Sequence, residues 1–100
     1  MHRRTKALAI PPKVKKAVFE RDGGRCILCM RAGEPNAHYI SRAQGGLGIE
    51  QNIVTLCYEC HQAYDNSYQR PFLREVIKEY LDTKYPGFDD ERRVYHKYEY

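Results

Sequence analysis

From Lys13 the apolar positions Val14, Ala17 and Val18 recur at spacings of three and four, with Arg21 extending the row, which predicts a short amphipathic helix through about Arg21. Pro12 falls at or just before its first turn, where a missing N–H costs nothing. Asp22-Gly23-Gly24 stops the helix and gives the chain freedom to turn. Residues 1–10 have no strong periodicity, so a poorly ordered arm ended by Pro11-Pro12 is expected. The run Ala37-His38-Tyr39-Ile40 is short and β-prone, with His38 and Ile40 on one face and Tyr39 on the other. Residues 30–36, which include Gly33 and Pro35, read as a loop leading into it.

Residues 41–51 contain Gly45, Gly46 and Gly48 and predict a wide connection, after which Asn52-Ile53-Val54-Thr55-Leu56 pairs back on the first strand. Cys57-Tyr58-Glu59-Cys60 opens a second helix that places His61 and Asp65, four apart, on one face. Asn66-Ser67 breaks or caps it, and Pro71 suits an early position of a third helix. From Phe72 to about Leu81 two apolar ladders, Phe72/Val76/Tyr80 and Leu73/Ile77/Leu81, predict a helix packed on the rest of the domain. Pro86-Gly87 ends it, and the Tyr-rich tail over residues 94–100 carries no chemical pattern.

One hundred residues make one small domain, which buries a modest fraction of its surface and needs a metal, disulfides or a partner. The expected division is a basic arm over residues 1–12, a braced core over 13–66, and a C-terminal helix and tail over 67–100. A chain 42% hydrophobic and 30% charged is globular in composition, which excludes disordered and fibrous classes. No run of about 18 apolar residues offers a membrane span, and the basic start has no adequate apolar region for export. A cytoplasmic chain without membrane contact is therefore expected. In a reducing compartment two Cys-x-x-Cys pairs are metal ligands rather than disulfides.

Cys26, Cys29, Cys57 and Cys60 suit a closed structural zinc site of four thiolates at about 2.3 Å from the ion. The pairs are separated by the 27 residues from 30 to 56, longer than the roughly 15 to 20 of simple two-knuckle motifs. The excess is enough for a strand, a loop and a second strand. A closed site stabilises and does not catalyse. The competing redox role for one pair lacks a thioredoxin-like βαβ pattern.

The formal charge of +4 falls to +2 once four thiolates and a zinc ion are counted, so placement matters more than the total. Eight basic residues, among them Lys13, Lys16 and Arg25, crowd the first quarter against only Glu20 and Asp22. Such a block suits a phosphate backbone, its alternative being a solvated, solubilising face.

His38 before a Gly-rich loop, Asn52 at the loop's close, and His61 directly after the second knuckle form one constellation, set in AHYISRAQGG, QNIVTLC and CHQAYD. Over residues 14–65 the chain resembles the HNH nucleases, most closely the small four-cysteine versions of phages and bacteria. The resemblance implies an α+β fold: a zinc-stabilised, treble-clef-like ββα-metal domain with an N-terminal helix and a C-terminal packing helix. It implies His38 as general base, a role that an imidazole with pKa near about 6.5 fills at cellular pH. Asn52 would pin the loop, and His61 with Asp65 would hold one catalytic divalent ion. Arg42, just beyond the first strand, is a candidate phosphate clamp.

Many family members carry an Asp or His ligand immediately before the base, where this chain has Ala37. The ligand set is thereby reduced to His61, Asp65, water and phosphate. Imidazole with carboxylate suits Mn²⁺, Ni²⁺, Co²⁺ or Zn²⁺ better than Mg²⁺, which stays open on availability. The implied function is a metal-dependent endonuclease acting on duplex DNA with little sequence preference. The alternatives are a zinc-stabilised nucleic-acid-binding module that has lost catalysis and a structural or protein-interaction zinc domain. Oligomeric state and pathway stay open: a homodimer or a phage or other DNA-processing partner would both suit double-strand cleavage.

Overall fold

A two-stranded antiparallel sheet ties the two cysteine pairs together. The computed structural model describes residues 3–97. In chain order it contains α1 (Arg3–Leu8), α2 (Pro12–Arg21), β1 (Glu34–His38), a 3₁₀ turn (Arg42–Gln44), β2 (Ile53–Leu56), α3 (Tyr58–Asn66), α4 (Arg70–Lys84) and a second 3₁₀ turn (Asp90–Arg93). This is a small α+β fold. The outermost parts of the expected arm and tail, residues 1–2 and 98–100, lie outside the described residues.

In the sheet Ala37 faces Val54, His38 faces Ile53 and Glu34 faces Leu56, with an irregularity between Glu34 and Ala37. The strand thus starts at Glu34, in the stretch expected to be loop, and ends at His38 instead of Ile40. Pro35 is accommodated because the sheet has only edge strands and the register shifts there. Beyond His38 the Tyr39 amide still donates to the Asn52 carbonyl at 2.8 Å.

Helix α2 begins with Pro12 in its first turn, as expected, and buries Val18. Its end is fastened through two side chains. Arg21 donates to Asp22, to the Glu50 carbonyl at 2.8 Å and to the Ile53 carbonyl at 2.8 Å. Asp22 in turn accepts from the Thr55 amide at 2.9 Å and from the Tyr80 hydroxyl of α4. Burial pushes the Asp22 carboxyl up, but the bonds from Arg21, Tyr80 and Thr55 outweigh it and hold the group below its ordinary value.

The poorly ordered arm is corrected: its described part is helix α1, packed against the domain through the buried Leu8. A six-residue helix that buries one side chain has no period to detect. α4 differs from expectation in the width of its contact. Ile77 and Leu81 are in the core and Leu73 packs on it, whereas Phe72 is 70% exposed and Val76 also faces water. Tyr80, from the same outer ladder, reaches Asp22. The core contact is thus made by the inner ladder together with Tyr80, the last residue of the outer one.

The segment after α4, which shows no pattern in sequence, packs on the Gly-rich loop. The Leu47 amide donates to the Arg93 carbonyl and the Tyr95 amide to the Gly45 carbonyl, each at 2.8 Å. Arg93 is fully buried, its Nε donating to the Gln51 carbonyl at 2.7 Å and Nη1 to Asp90 at 2.8 Å. From the other side the Gly48 amide donates to the Ala7 carbonyl at 3.0 Å. A side chain at Gly48 is impossible without rearrangement, because its Cβ would lie 1.9 Å from the Ala9 carbonyl oxygen. The core gathers Cys26, Tyr39, Val54, Leu56, Tyr64 and Leu81, with Ala37 also sealed within it. No helix among the described residues is long and apolar enough to cross a membrane.

Candidate metal centre and adjoining cleft

The sulfurs of Cys26, Cys29, Cys57 and Cys60 all lie within 4.8 Å of one another. Cys29 and Cys57 are 3.5 Å apart, far beyond the roughly 2.05 Å of a disulfide and close to the about 3.8 Å edge of a tetrahedron with 2.3 Å arms. The four residues therefore fit a structural zinc ion. Local backbone shapes both knuckles. The first closes through Cys26 N–H to the Arg31 carbonyl at 2.7 Å and Met30 N–H to the Cys26 carbonyl at 2.8 Å. Met30 takes the left-handed conformation needed for that turn (φ 70°). In the second knuckle Cys57 also caps α3, accepting the Cys60 amide on its sulfur at 3.4 Å.

Arg31 donates to Cys29 Sγ at 3.4 Å, and this charge beside the sulfur holds the thiol down at about 6. Burial pushes the Cys60 thiol up. The cluster thus has one sulfur prepared for ionisation and one that needs the ion's charge to lose its proton.

Next to the brace lies an open cleft of about 610 Å³ whose lining includes His38, Arg42, Gln44, His61, Asp65 and Arg70. The fold brings His38, from the end of β1, to the same cleft as the α3 pair predicted with it. His61 Nε2 stands 3.2 Å from Asp65 Oδ2, with the two side chains 27% and 44% exposed. One helical turn accounts for that proximity. Asn52, fully buried, does not line the cleft but fixes the backbone behind it. Its Oδ1 accepts the Ile40 amide, and its Nδ2 donates to the Ile40 and Leu47 carbonyls.

His38 Nε2 lies 2.9 Å from the Leu8 carbonyl. A carbonyl only accepts, so Nε2 carries the proton and Nδ1 holds the free lone pair of the neutral ring. Burial pushes the His38 pKa below its ordinary 6.5, with Arg42 and His61 acting in the same direction and the Leu8 carbonyl and Asp65 opposing them.

Lys13, Lys16 and Arg25 are exposed and do not line the cleft. Lys15 instead borders an adjoining depression together with His38 and Arg42. Arg70 was not signalled by the sequence, since it precedes the periodic part of α4. Its guanidinium stacks 4.3 Å over the Tyr64 ring, donates to the Tyr64 carbonyl at 2.9 Å and sits 4.0 Å from Asp65. The Leu8 carbonyl was equally invisible, because a backbone acceptor leaves no trace in residue type.

No curated protein matches the chain. Residues 26–67 match the family model described as HNH endonuclease. That segment contains all four cysteines as well as His38, Asn52, His61 and Asp65. Residues 26–67, which hold the cysteine brace and the histidines of the cleft, are thus similar to the HNH endonuclease family.

Proposed function

We propose that the protein is a metal-dependent endonuclease that hydrolyses phosphodiester bonds of duplex DNA with little sequence preference. The observation that carries this reading is the common cleft of His38, with its Nε2 proton tied to Leu8, and the His61–Asp65 pair. His38 Nδ1 takes a proton from water as the water oxygen attacks phosphorus. The bond from phosphorus to the 3′ oxygen breaks, and that oxygen leaves and takes a proton from solvent. Arg42 and Arg70 flank the cleft and grip phosphate oxygens with their forked N–H groups. Asn52 keeps the loop between the base and β2 in place.

His61 and Asp65 would hold the catalytic ion. Standing 3.2 Å apart on one face of α3, their ring nitrogen and carboxylate oxygen are donors that one ion could share. An ion held by these two residues would supply positive charge near the scissile phosphate. Imidazole and carboxylate together favour Mn²⁺, Ni²⁺, Co²⁺ or Zn²⁺, with Mg²⁺ admitted by abundance. The four thiolates suit a reducing cytoplasm. Double-strand cleavage from one site per chain needs two copies or successive nicks.

Supercoiled plasmid incubated with Mn²⁺, Mg²⁺ or Ni²⁺ tests the reading. Nicking that disappears in His38→Ala supports it, and no nicking under any of the three ions removes it. Ala37 favours a second reading, a nucleic-acid-binding module without catalysis, because it is buried in the core and offers no ligand atom. That reading predicts salt-dependent DNA binding with no cleavage.

A further inference from the structure

We infer that the N-terminal segment is a positioning element for His38: helix α1 and the residues just after it hold the Leu8 carbonyl against Nε2, fixing which face of the imidazole meets the cleft. The inference rests on His38 acting as the base. It deepens that role by assigning the base's orientation to a segment outside the matched residues 26–67.

The seat is specific. Leu8 buries its side chain, so its own carbonyl is anchored from the same residue. One residue earlier, the Ala7 carbonyl takes the Gly48 amide at 3.0 Å. One residue later, the Ala9 carbonyl occupies the space a Cβ at Gly48 would fill. Arg4 Nη2 donates to the Arg42 carbonyl at 3.2 Å, joining α1 to the turn that carries a proposed phosphate clamp. Among the described residues Leu8 supplies the hydrogen bond to the His38 ring, and Nδ1 meets no protein partner. Without that acceptor the ring is free to flip about its terminal torsion or to move its proton to Nδ1, and either change removes the lone pair from its aim.

Gly48→Ala displaces the seat without touching a side chain of the cleft. Leu8→Ala, which loosens the same seat from the opposite side, covers the case in which Gly48→Ala fails to fold. Leu81→Ala in α4 serves as a control for destabilisation away from the segment. In full-length zinc-loaded protein without DNA, nitrogen NMR of the wild-type imidazole should show His38 protonated at Nε2, with a proton protected from exchange with water. The protection should be lost in Gly48→Ala or Leu8→Ala and kept in Leu81→Ala. In plasmid nicking the seat variants should lose about tenfold or more in kcat, a larger change than in KM, with zinc content unchanged.

A wild-type His38 protonated at Nδ1 overturns the inference, as does a seat variant that loses the protected proton yet keeps kcat within twofold. Cleavage by a wild type whose Nε2 proton is unprotected removes the positioning role and leaves the nuclease reading standing. A protected Nε2 proton with nicking unaffected by His38→Ala removes His38 as base, and the positioning role falls with it.

Discussion

Asn52 and Ile40 face each other like a pair in a ladder. The Asn52 side chain accepts the Ile40 amide on Oδ1 at 2.9 Å and returns a bond from Nδ2 to the Ile40 carbonyl at 3.2 Å. A further bond from Nδ2 reaches the Leu47 carbonyl at 2.9 Å, so one side chain spans both ends of the Gly-rich loop. Asn52→Ala leaves these buried backbone groups without partners and should lower unfolding stability by about 2–4 kcal/mol. Asn52→Asp should be no better, since an ionised carboxylate cannot donate to either carbonyl. Urea denaturation of the zinc-loaded proteins checks this, and a loss below about 0.5 kcal/mol in both variants would contradict it.

Metal removal should act on the fold before it acts on chemistry. The protein should contain one zinc bound by four thiolates, and chelation should abolish the cooperative thermal transition, because binding free energy at such a site is folding free energy. Cys57→Ser should be at least as damaging as Cys29→Ser, since Cys57 is both a sulfur ligand and the cap of α3. Metal analysis with thermal melts followed by circular dichroism would show both effects.

Cleavage should keep its full rate to a lower pH than an ordinary histidine would allow. The base must be neutral, and burial, with Arg42 and His61, holds the His38 pKa below 6.5. Protonation therefore removes activity only as pH falls below that value, and activity is retained as pH rises through it. A pH–rate profile at saturating metal tests the sign: an acid limb centred above 6.5 would be wrong. His38→Ala should lose about 10²–10⁴-fold in kcat at neutral pH.

The two cleft arginines should dominate the electrostatic part of DNA binding. Arg42→Ala and Arg70→Ala should each reduce the slope of log affinity against log salt by about one. Lys13→Ala and Arg25→Ala, at positions that do not line the cleft, should change it less. Binding titrations on a catalytically silent His38→Ala background separate these contributions from turnover.

The brace and the α3 pair were legible in sequence because both are written as local spacings. A Cys-x-x-Cys knuckle and an i, i+4 pair keep their geometry wherever the fold places them. Asn52 and His38 were singled out through the resemblance, and the structure shows where they sit, His38 in the cleft and Asn52 buried behind it. What stayed hidden was non-local. Pro35 masked the start of β1, since proline argues against a strand until one knows that both strands are edges. Arg93 reads as one more tail cation, and its burial follows from acceptors at Gln51 and Asp90 and from the Tyr39 and Phe88 rings beneath it. The outer ladder of α4 has the same period as the inner one, and only packing tells them apart.

The Gly-rich loop receives the chain from two directions, with Gly48 bonded to Ala7 and Gly45 and Leu47 bonded to Tyr95 and Arg93. Stretches nearly ninety positions apart in sequence thus dock within four consecutive residues. A flexible linker could join the segment docked at Ala7 to the segment docked at Tyr95, with a closure cost that grows only slowly with its length. The chain could then be opened between α3 and α4, around the exposed Tyr68. In such a circular permutant the order of the pieces would change, while the brace, the cleft and the segment behind His38 would assemble as before.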